Sequence, residues 1–216
     1  MHFDLKPADV LVSADGRPQI ANFGLAEDLN APLPTRRPRT VGSLWYRAPE
    51  ALMRADCLGP SFDVWSWAVM YAEMMSRSRA PLFGTTSPED SMRQIVYNLV
   101  DVQDNVGDSE LWPGSDRLLG VFPGPDHPYS SSLPGKVRFK GGKGPRRFFS
   151  EVRAALGPEK MLDAMLDCVV YALRMDPASR PSCEQLLAHY SWTAVPSVMS
   201  KTAPVMPHIA HRHSNY

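Results

Sequence analysis

Residues 2–9 read HFDLKPAD, and residues 22–24 read NFG. Two short apolar runs lie between these stretches, at Val10–Val12 and at Gln19–Ala21. They flank a polar connection that contains an Asp-Gly turn signal, so this part of the chain predicts a β-hairpin. The hairpin would bring the carboxylates of the first stretch beside the second stretch, at the edge of one pocket. A polar turn before a strand is the alternative interpretation of the first stretch alone.

Length and composition indicate a globular protein. The chain has 216 residues, of which 44% are hydrophobic and 21% are charged, which is enough for one large or two small domains. It has 23 basic and 23 acidic residues, so no net field favours nucleic acid or an anionic membrane as a partner. No apolar run approaches the roughly 18 residues that span a bilayer, and no signal-peptide pattern begins the chain. We expect an intracellular protein, cytoplasmic or nuclear.

The metal-ligating residue types form no convincing cluster in the sequence. The cysteines are Cys57, Cys168 and Cys183. Their odd number and their spacing favour reduced thiols that are buried as small apolar side chains. Three histidines near the C-terminus could ligate a metal, namely His208, His211 and His213. Because nothing near them supplies further ligands, we interpret that region as a disordered tail without metal.

A third stretch, residues 43–50, reads SLWYRAPE and ends a segment rich in Pro, Arg and Thr that has no apolar period. The three stretches, in this order and spacing, resemble the motifs of protein kinases that are usually written H-R-D-L-K-P-x-N, D-F-G and A-P-E. We call residues 2–9 the catalytic loop, residues 22–24 the NFG turn, and residues 22–50 the activation segment. WYRAPE resembles in particular the group that contains cyclin-dependent and mitogen-activated kinases, which implies a Ser/Thr protein kinase of that group.

Later motifs continue the resemblance. Residues 63–68, DVWSWA, resemble the start of the central helix of the kinase C-terminal lobe, and apolar residues at helical spacing follow them as far as Met75. A second helical pattern runs from Leu162 to Leu173, and residues 176–182, DPASRPS, resemble the turn near the end of that lobe. A closing helix is expected at 186–192. The resemblance implies a mainly α fold: a kinase-like C-terminal lobe with a short β-hairpin at the catalytic loop.

The resemblance to protein kinases also predicts the domain organisation. Residues 1–194 would form the kinase-like domain, with a Gly- and Pro-rich insert loop at 102–146, and residues 195–216 would form the tail. We expect the N-terminal lobe, whose Gly-rich loop and lysine strand cradle ATP in kinases, to be absent. Basic residues at 136–147 lack the phosphate-loop pattern. We interpret them as a solvated loop, with docking of an acidic partner as the alternative.

By resemblance, Asp4 is the catalytic base that accepts the proton of the substrate hydroxyl, and Lys6 is the cation near the transferred phosphate. Asp9 and Asn22 take the places of the two magnesium ligands, but their identities are exchanged relative to the family pattern. An amide oxygen cannot chelate two ions as a carboxylate can. We therefore predict an impaired metal site. Phe3 replaces an arginine that in many kinases pairs with a phosphorylated residue of the activation segment, and that pairing cannot order the segment here.

The resemblance assigns three further groups of residues. Structural roles fall to His2, Phe23, Gly24, Glu50, Asp63 and Arg180. Substrate binding falls to Ser43, Trp45 and Tyr46. Phosphorylation sites are expected at Thr35 and Thr40. In particular, Asp63 is expected to accept hydrogen bonds from the backbone of the catalytic loop, and Arg180 to form an ion pair with Glu50.

Three hypotheses about function follow. The first is a Ser/Thr protein kinase catalytic domain, truncated and impaired, with ATP and magnesium as cofactors and a protein as substrate. The second is a pseudokinase that binds a protein partner or acts as a scaffold. The third is a fragment without function, whose uncovered lobe interface would expose apolar surface. None of the three implies a nucleic acid or a membrane.

Overall fold

The computed structural model describes residues 1–29, 41–53, 55, 58–76, 80–100, 115, 148–150 and 160–189. The predicted insert lies outside the described residues except for Ser115, which is buried. The predicted tail with its three histidines, the two threonines of the activation segment, Cys57 and Trp192 also lie outside them. The predictions made for those residues stay predictions.

A β-hairpin follows the catalytic loop, as the sequence predicted. Strands β1 (Val10–Val12) and β2 (Pro18–Ile20) pair antiparallel, with Val10 opposite Ile20. The second strand was predicted one residue too late. It begins at the proline, which an edge strand tolerates at its end, and Ala21 follows it and donates its N–H to the Asp9 carbonyl at 2.8 Å. This hydrogen bond ties the start of the NFG turn to the end of the catalytic loop.

The rest of the described chain is helical. The helices are α1 (Pro49–Leu52), α2 (Ser61–Ser76), α3 (Pro88–Leu99), α4 (Lys160–Ala172) and α5 (Cys183–Leu187). The apolar periodicity predicted α2 and α4 to within two or three residues at each end. The closing helix α5 was predicted at 186–192, but it begins three residues earlier, at Cys183, and ends at Leu187. Within the described ranges, no helix is both long enough and apolar enough to cross a lipid bilayer.

Helix α2 lies at the centre of the core. Phe62, Trp65, Ala68 and Val69 on this helix are fully buried, and α4 packs against it. The apolar stripe predicted from the sequence consists of Val64, Trp67, Ala68, Tyr71, Ala72 and Met75. Trp65 lies off this stripe, whereas Trp67 lies on it and is only partly buried. The helix is therefore surrounded on more sides than a single stripe indicates, as is typical of a central helix.

The prediction that all cysteines are buried is wrong for one of them. Cys168 is buried on α4, but Cys183 is exposed at the start of α5. The reason is local, because Ser182 caps this short helix with its side chain at the protein surface. Cys183 is the first residue after this cap, and it faces solvent as Ser182 does.

Candidate functional site

Asp4 and Lys6 lie side by side on the catalytic loop, and Ser43 joins them from the activation segment. Lys6 Nζ lies 2.5 Å from Asp4 Oδ2 and donates to Ser43 Oγ at 3.1 Å. The backbone N–H of Ser43 donates to the other carboxylate oxygen, Asp4 Oδ1, at 2.6 Å. Each oxygen of Asp4 therefore has one fixed donor and keeps a further lone pair for a substrate proton.

The same contacts keep Asp4 ionised. Burial by itself raises the pKa of the Asp4 carboxyl, but hydrogen bonds from Lys6 and Ser43 outweigh burial and hold that pKa below its ordinary value. The hydrogen bond to Asp4 in turn raises the pKa of Lys6. At neutral pH the pair is a carboxylate beside an ammonium, and a carboxylate is the form that can act as a base.

Asp63, near the start of α2, holds the catalytic loop by its backbone. Its carboxylate oxygens accept the N–H of His2 at 2.7 Å and the N–H of Phe3 at 2.9 Å. His2 Nε2 lies 2.9 Å from the Ala21 carbonyl oxygen. Because a carbonyl only accepts, the imidazole donates there. The peptide groups directly before Asp4 are thus fixed to the central helix, and the histidine ring connects them to the NFG turn.

The NFG turn presents an amide where the family pattern has a carboxylate. Asn22 Nδ2 donates to Asp9 Oδ1 at 3.0 Å. Since a carboxylate only accepts, the amide turns its NH₂ group toward Asp9, and not its carbonyl oxygen. Asn22 has a φ of 65°, a left-handed conformation that asparagine adopts more readily than most residues.

The side chains as they are arranged fit a magnesium ion poorly. Asp9 Oδ2 is buried without a hydrogen bond, which would suit a cation, but the Lys6 ammonium already lies 3.5 Å from it. The Asn22 amide offers N–H donors there, whereas magnesium requires oxygen ligands in octahedral geometry. Among the described residues, no group of three or more His, Cys, Asp or Glu side chains could hold a metal.

Phe23 and Gly24 complete the NFG turn at the protein surface. The Phe23 ring meets the His2 ring edge-on, with centroids 5.2 Å apart, yet Phe23 is 62% exposed. A Cβ atom at Gly24 would meet only Asn22 Oδ1 within 4 Å, at 3.6 Å. The structure gives no reason for a glycine at this position.

Glu50 and Arg180 form a buried ion pair between the end of the activation segment and the turn before α5. Arg180 Nη1 and Nη2 donate to Glu50 Oε1 and Oε2, each at 2.7 Å. The remaining three guanidinium N–H groups donate to backbone carbonyls at Ser61, Arg174 and Met175. All five donors of the guanidinium are therefore used, which explains how it can be buried.

Trp45 and Tyr46, predicted to bind substrate, are each anchored by a side-chain hydrogen bond. The exposed Trp45 donates its indole N–H to the Thr85 carbonyl at 2.7 Å. The Tyr46 hydroxyl donates to Glu73 Oε2 at 3.0 Å, and Glu73 Oε1 accepts the Leu82 N–H at 2.8 Å. Burial, and then the nearby Glu73 carboxylate, raises the pKa of Tyr46. Sequence reasoning missed Thr85 and Glu73 because neither stands in a motif.

Sequence reasoning also missed the turn that presents Ser43. Gly42 has a φ of 83°, which favours glycine. Its carbonyl oxygen accepts from Arg47 Nε at 3.2 Å and from Arg47 Nη2 at 2.6 Å. In the sequence, the glycine directly before Ser43 was the signal from which this turn could have been predicted. The turn points the Ser43 N–H at Asp4.

The chain has relatives among known proteins. Residues 1–192 match the family model for the protein kinase domain. The chain belongs to the protein kinase family. The prediction of the family, which the sequence motifs supported, is confirmed.

Curated relatives place this kinase-family chain beside the cyclin-dependent kinases. It is 30% identical over 203 residues to "Cyclin-dependent kinase G-1" of Oryza sativa subsp. indica, covering 93% of this chain and 26% of that protein. It is 30% identical over 194 residues to "Cyclin-dependent kinase 7" of Dictyostelium discoideum, covering 90% of this chain and 46% of that protein. The chain thus spans less than half the length of these relatives.

A solved structure shares the fold. The chain superposes with a TM-score of 0.65 and 27% identity on a chain of the CAK complex from Chaetomium thermophilum bound to ATP-gamma-S, covering 91% of this chain and 53% of that one. Its described part agrees with a portion of a kinase domain: helices predominate, and the described sheet has two strands.

Proposed function

We propose that the chain forms the substrate side of a Ser/Thr phosphoryl-transfer site, in the C-terminal-lobe part of a protein kinase domain, and that its metal side is weakened so that transfer is slow. The observation that carries this proposal is the position of Asp4, whose two carboxylate oxygens are held by Ser43 N–H and by Lys6 Nζ. This arrangement leaves an ionised base at a defined place beside the activation segment.

The proposed reaction transfers the γ-phosphate of ATP to a serine or threonine hydroxyl of a protein. Asp4 orients that hydroxyl and accepts its proton, and Lys6 stabilises the negative charge on the transferred group. Ser43, Trp45 and Tyr46 form the surface that would receive the substrate. Nucleotide and magnesium are proposed from the family, and one solved relative is bound to ATP-gamma-S. As in that family, we propose an intracellular protein.

The proposal that the metal side is weakened rests on the amide side chain of Asn22. A metal ion near Asn22 would lack one carboxylate, and losing one charge about 4 Å from a cation costs about 4 kcal/mol at an effective dielectric of 20. If this loss falls entirely on the transition state, it slows transfer by roughly a thousandfold. Asp9 supplies a negative charge close by, but the Lys6 ammonium and the Asn22 amide already engage it.

A partner-binding module without catalysis is the second candidate. It is favoured by the same metal-side contacts, because the Asn22 amide and the Lys6 ammonium already compensate the charge of the Asp9 carboxylate without a metal ion. The described end of the activation segment, residues 41–50, is anchored by the Glu50–Arg180 ion pair and would then present a surface to a protein partner. Such binding would survive the loss of Asp4.

Transfer of radiolabelled γ-phosphate from ATP to serine- and threonine-containing protein substrates, catalysed by the full chain, tests the proposal. We expect slow transfer by the wild type and at least a hundredfold less by Asp4→Asn, since the amide cannot take the proton. Asp15→Asn is the matched control, because Asp15 is an exposed carboxylate on the hairpin turn, and we expect it to leave the rate unchanged. Equal rates for wild type and Asp4→Asn would overturn the catalytic proposal, and partner capture that survives Asp4→Asn would support the second candidate.

A further inference from the structure

We propose that Lys6 is the internal counter-ion of Asp9, and that Lys6 and the Asn22 amide together close the metal side of the site to free divalent cations. The inference deepens the proposed function, because it concerns the same site and rests on that assignment. Its test measures cation binding without nucleotide. It can therefore fail where phosphoryl transfer is found, and it can hold where no transfer is found.

The backbone of the catalytic loop brings Lys6 and Asp9 together. Pro7–Asp9 form a short 3₁₀ helix, and the Asp9 N–H donates to the Lys6 carbonyl at 3.0 Å. Side chains three residues apart lie on the same side of such a turn. The Lys6 ammonium accordingly lies 3.5 Å from Asp9 Oδ2 while it also contacts the Asp4 carboxylate. One cation is thus shared by the two carboxylates of the loop.

The other carboxylate oxygen of Asp9 is engaged from the NFG turn. Asn22 Nδ2 donates to Asp9 Oδ1 at 3.0 Å. The backbone supports this contact, because the Ala21 N–H donates to the Asp9 carbonyl at 2.8 Å. Asp9 is only 6% exposed, and a carboxylate buried to this degree requires compensation of its charge. The compensation comes from the chain itself, with the amide at one oxygen and the ammonium near the other.

The exchanged identities of positions 9 and 22 account for this internal compensation. The formal charge of the site is the same in either order, since one aspartate and one asparagine are present in both. In this chain, however, the carboxylate stands on the catalytic loop, three residues from Lys6. A divalent cation would have to displace the ammonium. Asp9 Oδ2 is buried without a hydrogen bond, so it is the atom that would accept a cation once Lys6 is removed.

Electron paramagnetic resonance of MnCl₂ added to the full chain without nucleotide tests this inference. Mn²⁺ prefers the same oxygen ligands as Mg²⁺, and its signal reports how much of it is free. We expect the wild type and Asp9→Asn to bind the same amount of Mn²⁺, because the Asp9 carboxylate offers no open site. Binding of one Mn²⁺ by the wild type that Asp9→Asn abolishes would overturn the inference.

Two single substitutions should open the site. Asn22→Asp replaces the amide, now 3.0 Å from Asp9 Oδ1, by a second carboxylate, and repulsion between the two carboxylates favours a cation between them. Lys6→Met removes the internal cation and keeps a long aliphatic side chain. Each variant should bind one additional Mn²⁺, and its melting temperature should rise with the Mn²⁺ concentration, whereas that of the wild type should not.

Asn98→Asp is the matched control, because it introduces the same charge at an exposed position of α3. We expect its Mn²⁺ binding and its melting temperature in Mn²⁺ to equal those of the wild type. A variant of the site that folds only when Mn²⁺ is present would support the inference. If neither Asn22→Asp nor Lys6→Met binds more Mn²⁺ than Asn98→Asp, the inference is wrong.

Discussion

At the scale of single residues, Asp4 shows how specific hydrogen bonds reverse the effect of burial. Burial would raise the pKa of this carboxyl, but the donors at Lys6 and Ser43 lower it further than burial raises it. The folded protein therefore holds Asp4 as a carboxylate more firmly than the unfolded chain does. The same two donors that orient the base also make the stability of the protein depend on pH.

The pH dependence of this contribution has a definite sign. Because the pKa of Asp4 is held below its ordinary value of 3.8 in the folded state, the unfolded state takes up the proton first as the pH falls. The stabilisation is fully present above the unfolded pKa and is lost as the pH falls through the folded pKa. We expect Asp4→Asn to cost about 2 kcal/mol at pH 7, as is usual for hydrogen bonds to a charged group.

Denaturant unfolding of wild type and Asp4→Asn between pH 7 and pH 3 measures this difference. We expect the gap between the two free energies of unfolding to be constant from pH 7 to about pH 5 and to narrow below about pH 4. A gap that widens toward acid would show that the pKa is shifted in the opposite direction.

The two described non-glycine residues with positive φ, Phe3 and Asn22, differ in how far the sequence could predict them. Asparagine is enriched in left-handed conformations, so a turn at Asn22 was a reasonable prediction. Nothing in the identity of phenylalanine predicts such a conformation at Phe3. It results from the hydrogen bond to Asp63 and from packing on Phe62, both of which involve residues about sixty positions away in the chain.

At the scale of elements, the ion pair between Glu50 and Arg180 connects α1 to the turn before α5. Both side chains are nearly or fully buried, and all five guanidinium donors have acceptors. Removing one partner would leave the other charge buried and uncompensated. Loss of a partner from a buried pair typically costs about 3–5 kcal/mol.

Glu50→Gln should therefore lower the free energy of unfolding by about 3 kcal/mol or more, measured by urea denaturation at pH 7. Arg17→Ala is the matched control, because Arg17 pairs with Asp15 on the exposed hairpin turn, and we expect no measurable change in the midpoint. Similar losses for both variants would contradict the assignment of the buried pair as a structural anchor.

Helices with a clear apolar periodicity could be predicted from the sequence. The residues at which helices and strands begin and end could be predicted less well. The spacing of apolar residues in α2 and α4 gave the helices, since burial of one face requires it. The start of β2 was missed because Pro18 argues against a strand interior, although it stands at the strand's first position. Helix α5 ends early at Leu187, and its apolar residues are too few to define its length by periodicity.

At the scale of the whole molecule, the order and spacing of the motifs predicted the family, whereas the contacts between motifs came only from the structure. Each of the three motifs, HFDLKPAD, NFG and WYRAPE, describes only the stretch of chain in which it lies. Their letters do not reveal that Asn22 turns its NH₂ group toward Asp9 or that the Ser43 N–H donates to Asp4. Such contacts depend on the relative placement of distant segments, which a single sequence does not encode in any local pattern.

The proposed site therefore has two halves with different contacts. The substrate side, built from Asp4, Lys6 and Ser43, is connected by hydrogen bonds within itself and to α2. On the metal side, the Asp9 carboxylate accepts a hydrogen bond from the Asn22 amide and lies 3.5 Å from the Lys6 ammonium. We propose that the metal side, and not the base, limits phosphoryl transfer.

The most direct test is the initial rate of γ-phosphate transfer by the full chain with the double substitution Asp9→Asn, Asn22→Asp, compared with the wild type at the same ATP and magnesium concentrations. Aspartate tolerates the left-handed conformation of Asn22, so the exchange should not strain the turn. Our account predicts that the double variant transfers phosphate between about a hundredfold and a thousandfold faster than the wild type. An unchanged or lower rate, with the fold intact, would contradict it.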